Sequence, residues 1–254
     1  MLEVNNIYLG NCLEIMKKID DKSIDMVLSD LPFGMTNNEW DKAIPFEPMW
    51  QEINRIAKDN ASIALMAAGV FTSELVVSNK KYYRYSWIWK PKEKSNFLNA
   101  NRMPLRQHID IPIFYKNLPV YNPQKTYGHK PVKKYKQHTT AGANYGKTKI
   151  GMEGGGQTDR YPTTVIDIPY NTIKIKDRIH PTQKPIELYE YLIKTYTNEE
   201  GIALDFTAGS CVLAEACINT NRNYICIEKE KKYCNKAKER IKLHLEKGKQ
   251  LKII

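Results

Sequence analysis

The chain has 254 residues, 42% hydrophobic and 26% charged, enough to bury the core of one full α/β domain. Lys and Arg outnumber Asp and Glu by 39 to 28, a net charge of +11 with a pI near 9.2, which points to a polyanionic partner. No apolar run is long enough to span a bilayer and no signal-peptide pattern is present, so the composition argues for a cytoplasmic protein without a membrane partner.

A Lys-rich composition from an AT-rich genome is the plain alternative for the charge. The five cysteines (Cys12, Cys211, Cys217, Cys226, Cys234) form no Cys-x-x-Cys pair and read as small buried residues. The histidines show no metal spacing, and no metal is expected.

In chain order, residues 4–9 read as a strand ending at Gly10-Asn11, with Asn11 capping a helix whose Cys12, Ile15, Met16 and Ile19 fall at helical spacing. Residues 23–30, holding the apolar run 24–28, read as a buried parallel strand. A polar loop with Asn37, Asn38, Trp40 and Asp41 precedes a helix over 46–58, a strand over 61–68 and a helix over 70–78. Residues 82–90 and 110–115 alternate aromatic and polar side chains and read as an antiparallel pair at the sheet edge.

From about 117 to 166 the periodicity disappears. Lys125, Lys130, Lys133, Lys134, Lys136, Lys147, Lys149 and Arg160 dominate, interleaved with tyrosines and the run Gly154-Gly155-Gly156. Too little is apolar for a separate core, so the segment reads as an inserted surface region, parts of which order on binding. Regular structure resumes with a helix led by Pro185, a strand over 201–206, a helix over 210–219 and a strand over 224–228. A last helix carries Tyr233, Ala237, Ile241 and Leu245 on one face.

Two stretches carry chemistry. Asp30-Leu31-Pro32-Phe33 sets a carboxylate, a stiff turn and a ring at the carboxyl end of a strand, where open α/β sheets bind ligands. Asp205 to Ser210 is a strand-to-helix turn with a small-residue bend at Gly209, and Glu228 closes the following strand, well placed for ribose hydroxyls. A dinucleotide fold is the competitor, but the Gly-x-Gly-x-x-Gly spacing is missing and Asp205 is ill suited to a pyrophosphate. A carboxylate there suits the ammonium of S-adenosylmethionine.

Asp30-Leu31-Pro32-Phe33 resembles the Asp-Pro-Pro-Tyr signature of DNA methyltransferases that modify exocyclic amines. The chain as a whole resembles a beta-class amino methyltransferase, in which the catalytic motif precedes the cofactor motif and a target-recognition region lies between. Gly10-Asn11 resembles the family's Gly-Asp, His180-Pro181-Thr182-Gln183-Lys184-Pro185 its motif before the cofactor site, and Asp205 to Ser210 with Glu228 the cofactor site itself. Asn11 departs from Asp, and Cys211 stands where a second Gly is frequent, one position into the helix.

The resemblance implies a Rossmann-like α/β fold with circularly permuted motif order. It implies a mostly parallel sheet with an antiparallel edge strand, and a single catalytic domain over 1–254. It implies methyl transfer from S-adenosylmethionine to N6 of a flipped adenine in double-stranded DNA, without a metal. Asp30, Leu31, Pro32 and Phe33 would be catalytic. Asn11, Asp30, Lys184, Asp205, Phe206, Thr207, Ala208, Gly209, Ser210 and Glu228 would hold the cofactor, and the Lys/Arg set above would meet DNA phosphates. His180 reads as structural, and Trp40 and Asn38 as closing over the base or as plain packing. Gln157, Asn144 and Arg160 have the chemistry of base readers. N4 of cytosine, a catalytically silent nucleic-acid binder, a homodimer and a cognate restriction endonuclease stay open.

Overall fold

A computed structural model describes residues 2–34, 41–136, 138, 150–170 and 183–251, with side chains to residue 246. The chain runs β1 (Asn6–Leu9), α1 (Cys12–Met16), β2 (Ile24–Asp30), α2 (Phe46–Ile56), β3 (Ala57–Met66), α3 (Val70–Ser78), β4 (Tyr83–Trp89) and β5 (Ile109–Phe114). It continues through β6 (Tyr135–Lys136), β7 (Glu153–Gly154), β8 (Val165–Ile166), α4 (Ile186–Tyr196), β9 (Ile202–Asp205), α5 (Val212–Asn219), β10 (Asn223–Glu228) and α6 (Lys231–Leu251).

Contacts divide the chain into two compact units, residues 1–122 with 164–254 and residues 123–163. In the first, eight strands form one sheet in the order β1-β10-β9-β2-β3-β5-β4-β8. The five strands from β1 to β3 are mutually parallel, and β5 runs antiparallel to both β3 and β4. This is the expected mostly parallel α/β sheet, except that the two-residue β8 pairs outside β4 and becomes the edge. Residues 117–122 and 164–166, expected in the inserted region, belong to this first unit.

Because a parallel sheet buries both faces, its strands alternate between two cores. Met26 and Leu28 point to one, against Leu188 and Leu192 of α4 and Leu213 of α5; Val27, Ile63 and Leu65 point to the other, against Ile15, Ile53 and Leu75 of α1, α2 and α3. At the antiparallel side, Trp87 Nε1 donates to the Tyr196 hydroxyl at 2.6 Å, and Trp89 Nε1 to the Ile168 carbonyl at 2.8 Å, so the buried indoles are satisfied.

Two boundaries differ from expectation. Helix α2 stops at Ile56 because Ala57 turns extended and pairs with Ile24, starting β3 directly. The polar stretch Lys58–Asp59–Asn60 hid that start from the apolar pattern; Lys58 answers Asp25 across the strands at 2.7 Å. On α6 the buried stripe is Cys234, Ala237 and Ile241, while Leu245, expected on that face, is exposed.

The second unit is held differently. None of its described residues is buried. Backbone bonds zip 126–132 against 156–160, and β6 pairs antiparallel with β7. Gly155 is forced: at φ +107 a Cβ there would meet the Lys133 carbonyl at 2.5 Å.

Candidate functional site

The strand order reverses between β9 and β2, which are parallel neighbours at Met26–Ala203 and Val27–Leu204. A crevice opens at the carboxyl ends of such strands. Here it is a cavity of about 320 Å³, lined by the ends of β1, β2, β9 and β10 and wholly within the first unit.

At the end of β2, Asp30 Oδ2 forms an ion pair with Lys184, a residue 154 positions later and just ahead of α4. Burial pulls the Lys184 ammonium toward deprotonation, but the charge of Asp30 and their hydrogen bond outweigh it, and its pKa stands above the ordinary lysine value. Asp30 Oδ1 is buried and has no hydrogen-bond partner among the described residues. A buried acceptor left empty costs about 1–3 kcal/mol, which an incoming N–H or O–H donor recovers. The Asp30 carbonyl is fixed by the Thr207 hydroxyl at 3.1 Å, so the two strand ends are tied together. Leu31, Pro32 and Phe33 line the cavity, Leu31 with a buried side chain and Phe33 with its ring 5.3 Å from that of Phe71.

At the end of β9 the expected residues divide. Phe206 to Ser210 line the cavity, but Asp205 does not. Its Oδ1 accepts from Thr207 N at 3.1 Å, and Ser29 joins the two strand ends by bonding its carboxylate while accepting from Phe206 N at 3.0 Å. Burial pushes the Asp205 carboxyl up to about 7, partly offset by those hydrogen bonds. Asp205 thus shapes the turn from beneath. Cys211 is not inside the helix as expected; it is the α5 N-cap residue in the left-handed region, φ +54 and ψ +46. That conformation favours glycine, which explains the frequent Gly of the resembled family at this place.

Glu228 lines the cavity at the end of β10, with Oε2 accepting from Gly209 N and Oε1 from Glu230 N, both at 2.7 Å. Burial raises its pKa above the usual glutamate value. Next to it, Gly10 N donates to the Glu228 carbonyl at 2.9 Å, which brings Asn11 to the wall. Asn11 also caps α1, its Oδ1 accepting from Leu13 N at 2.9 Å.

Several wall residues were missed in the sequence. Asp41 to Pro45 form one side, and Asp41 Oδ1 holds Gly34 N at 2.9 Å, bracing the turn after Phe33. Only the placement of Asp41 in a polar loop near the motif hinted at this. Tyr233, read as a core-facing residue of the last helix, lines the cavity instead, as does the buried Tyr189 of α4. Asn37, Asn38, Trp40 and residues 180–182 lie outside the described residues.

The basic set lies in the second unit and is unequal. Lys125 pairs with Asp159 at 2.8 Å and sits 4.2 Å from the Tyr161 ring centroid, and Lys136 pairs with Glu153 at 2.7 Å. Arg160 spends its guanidinium on the carbonyls of Lys130, Gln157 and Asp159. Lys130, Lys133 and Lys134 are exposed, and Gln157 is exposed; Asn144, Lys147 and Lys149 lie outside the described residues.

Among the described residues no group of three or more His, Cys, Asp or Glu side chains is arranged to hold a metal ion, all five cysteines are free, and no helix is long and apolar enough to cross a membrane.

A family model described as DNA methylase matches residues 24–239. The Type II methyltransferase M.HpaI of Haemophilus parainfluenzae is 27% identical over 247 residues, covering 91% of this chain and 72% of that protein. The Type II methyltransferase M2.MboI of Moraxella bovis is 25% identical over 268 residues, covering 92% and 86%. Among solved structures, the cytosine-N4-specific PvuII DNA methyltransferase superposes with a TM-score of 0.66 at 14% identity, covering 94% of this chain and 90% of that one. A complex of M1.HpyAVI with S-adenosylmethionine superposes at 0.58 with 20% identity, covering 93% and 98%.

Proposed function

We propose, from the premise that this chain belongs to the N6/N4 DNA methylase family, that it transfers a methyl group from S-adenosylmethionine to N6 of an adenine flipped out of a specific DNA duplex. The observation that carries this reading is Asp30, a residue of the cavity wall: one carboxylate oxygen is anchored on Lys184 and the other is buried without a hydrogen-bond partner among the described residues.

The residues present suit the methyl donor. The cavity volume falls within the range of small-molecule sites. Glu228 is fixed by two backbone N–H groups with lone pairs left for ribose hydroxyls, and Asn11 and Phe206 to Ser210 supply polar and backbone contacts. Asp205 acts through the turn it holds. When bound, S-adenosylmethionine supplies an electrophilic methyl group on sulfur.

An exocyclic amine is a poor nucleophile because its lone pair is delocalised into the ring. Asp30 Oδ1 and the Leu31 carbonyl accept its two hydrogens, drawing the nitrogen toward tetrahedral geometry and freeing the lone pair. This is positioning combined with electrostatic complementarity to the transition state. Lys184 holds the carboxylate, Pro32 stiffens the turn that aims the carbonyl, and Phe33, backed by Phe71, stacks on the extruded base. Asp30 Oδ1 would take the proton that the methylated nitrogen sheds and pass it to water. Lys130, Lys133 and Lys134 contact phosphates in the proposed target-recognition unit.

The test is incubation with labelled S-adenosylmethionine and unmethylated duplex DNA, followed by nucleoside mass spectrometry. N6-methyladenine is expected. N4-methylcytosine would correct the base, and salt-sensitive DNA binding without any methyl transfer would replace the enzyme by a silent binder.

A further inference from the structure

We propose that the loop joining β4 to β5, residues 90–108, is a wedge that enters the DNA duplex beside the target base, with Phe97 and Leu98 filling the space that the flipped base leaves. The proposal deepens the methyltransferase reading and rests on it.

Sheet register places this loop on the catalytic edge. Asp30 pairs with Met66, Ala67 bridges Asp110, and Trp89 pairs with Ile109, so β4 ends and β5 begins on the edge where β2 delivers its carboxylate. Two strand spacings, roughly 10 Å, separate β2 from β5. Side chains close the distance: the Phe33 ring lies on Phe71 of α3, and the neighbouring Thr72 hydroxyl donates to Asp110 Oδ2 at 2.7 Å. The loop therefore stands on the helix turn that backs the catalytic motif.

Its tip is apolar and in water. Phe97 is 72% exposed and Leu98 85%, with Met103 at 52% beside them. A mobile tail can show apolar residues by accident, but this loop is built. Ser95 and Arg106 bridge antiparallel at its neck, and Phe97–Asn99 form a 3-10 turn entered through Asn96 in the left-handed region. Arg102 N and Met103 N then close on the Asn99 carbonyl at 2.8 and 3.0 Å. A preorganised turn that holds its largest side chains outward presents them to something.

The flanking charge identifies the partner. Residues 90–108 carry Lys90, Lys92, Lys94, Arg102 and Arg106 against the single acid Glu93. Cations around an aromatic and aliphatic tip match a duplex: phosphates take the cations, and apolar wedges of Phe, Leu or Met slip between base steps. Extruding a base leaves unstacked neighbours, and a side chain in the gap stabilises the opened state.

The test uses the full chain. Wild-type protein first methylates unmethylated genomic DNA, and sequencing of modified bases locates the site. Single-turnover methylation is then measured on duplexes with the target base paired or opposite an abasic position, for wild type and for Phe97→Ala/Leu98→Ala. Both side chains are exposed, so the variant folds, which an unchanged melting temperature verifies.

We expect a loss of about tenfold or more on the paired duplex and recovery to within about threefold on the abasic one, where extrusion is already easy. Lys92→Glu/Lys94→Glu should lower the salt slope of DNA binding by about 2. Equal losses on both duplexes, or none on either, would overturn the wedge while leaving the methyltransferase reading intact. A change from dimer to monomer in light scattering, with the paired rate unchanged, would assign the tip to self-association and overturn it too. Absence of methylation by the wild type would sink the parent reading and the wedge with it.

Discussion

Around the cavity, each strand end is anchored in buried structure: β2 and β9 run through buried residues, their ends are cross-tied by Ser29 and Thr207, and Lys184 holds Asp30 from just ahead of α4. In residues 123–163 no described side chain is buried, and the fold is carried by backbone bonds, the Arg160 guanidinium and the Lys125–Asp159 pair. The first arrangement holds a few groups in fixed relation, as bond-making requires. The second leaves an exposed, charged surface, suited to phosphates and sensitive to salt.

This contrast can be broken at its strongest point first. Asp30→Ala alone would strand the Lys184 ammonium in a buried place, so Asp30→Ala/Lys184→Met is the cleaner variant. It should lose methyl transfer by at least roughly 100- to 1,000-fold, with duplex binding retained in a fluorescence titration. Lys184→Met alone should lower kcat by roughly 100-fold through misplacement of Asp30. Because the two act as a unit, the double variant should then be no worse than Asp30→Ala in transfer.

The second unit should respond in the opposite way. Lys130→Glu/Lys133→Glu/Lys134→Glu should leave the melting temperature unchanged but weaken DNA binding and reduce its salt slope by about 3. Gly155→Ala forces a Cβ into the Lys133 backbone at a positive φ. It should cost on the order of 1–3 kcal/mol locally, seen as faster proteolysis within 123–163 while the main melting transition stays in place.

The smallest effect concerns pH. Asp205 is raised from 3.8 to about 7 by burial, so the folded state binds its proton more tightly than the unfolded chain. Its contribution to stability is therefore highest below the unfolded pKa and is lost as pH rises toward about 7, with no further change above. Asp205→Asn should remove that decline, raising stability at pH 8 relative to wild type in thermal melts. An unchanged pH profile would mean the carboxyl is better solvated than its packing implies.

Much of the fold is legible because its signals are local. The apolar run ending at Asp30, the Asn11 cap and the helix over Val70–Ser78 appear in the structure as the residues announce them. Where the expectation slipped, a long-range partner overrode a local pattern. Lys58 belongs to a strand despite its polar neighbours because Asp25 faces it, and Val165–Ile166 leave the irregular region because β4 offers an unpaired edge. The cavity was half readable: motif residues were found, but Tyr233 looks identical in sequence whether its helix turns it inward or toward a ligand.

The sequence alone determined the strand ends that carry chemistry, the order of the two motifs and the excess of cations, because propensity, capping and charge act over a few residues. Only the tertiary structure decided that Asp30 meets Lys184, that Asp205 lies under its turn instead of in the cavity, and that Cys211 adopts a glycine-like backbone. Those outcomes depend on which strands become neighbours and on the partner a charge finds once burial has removed its water.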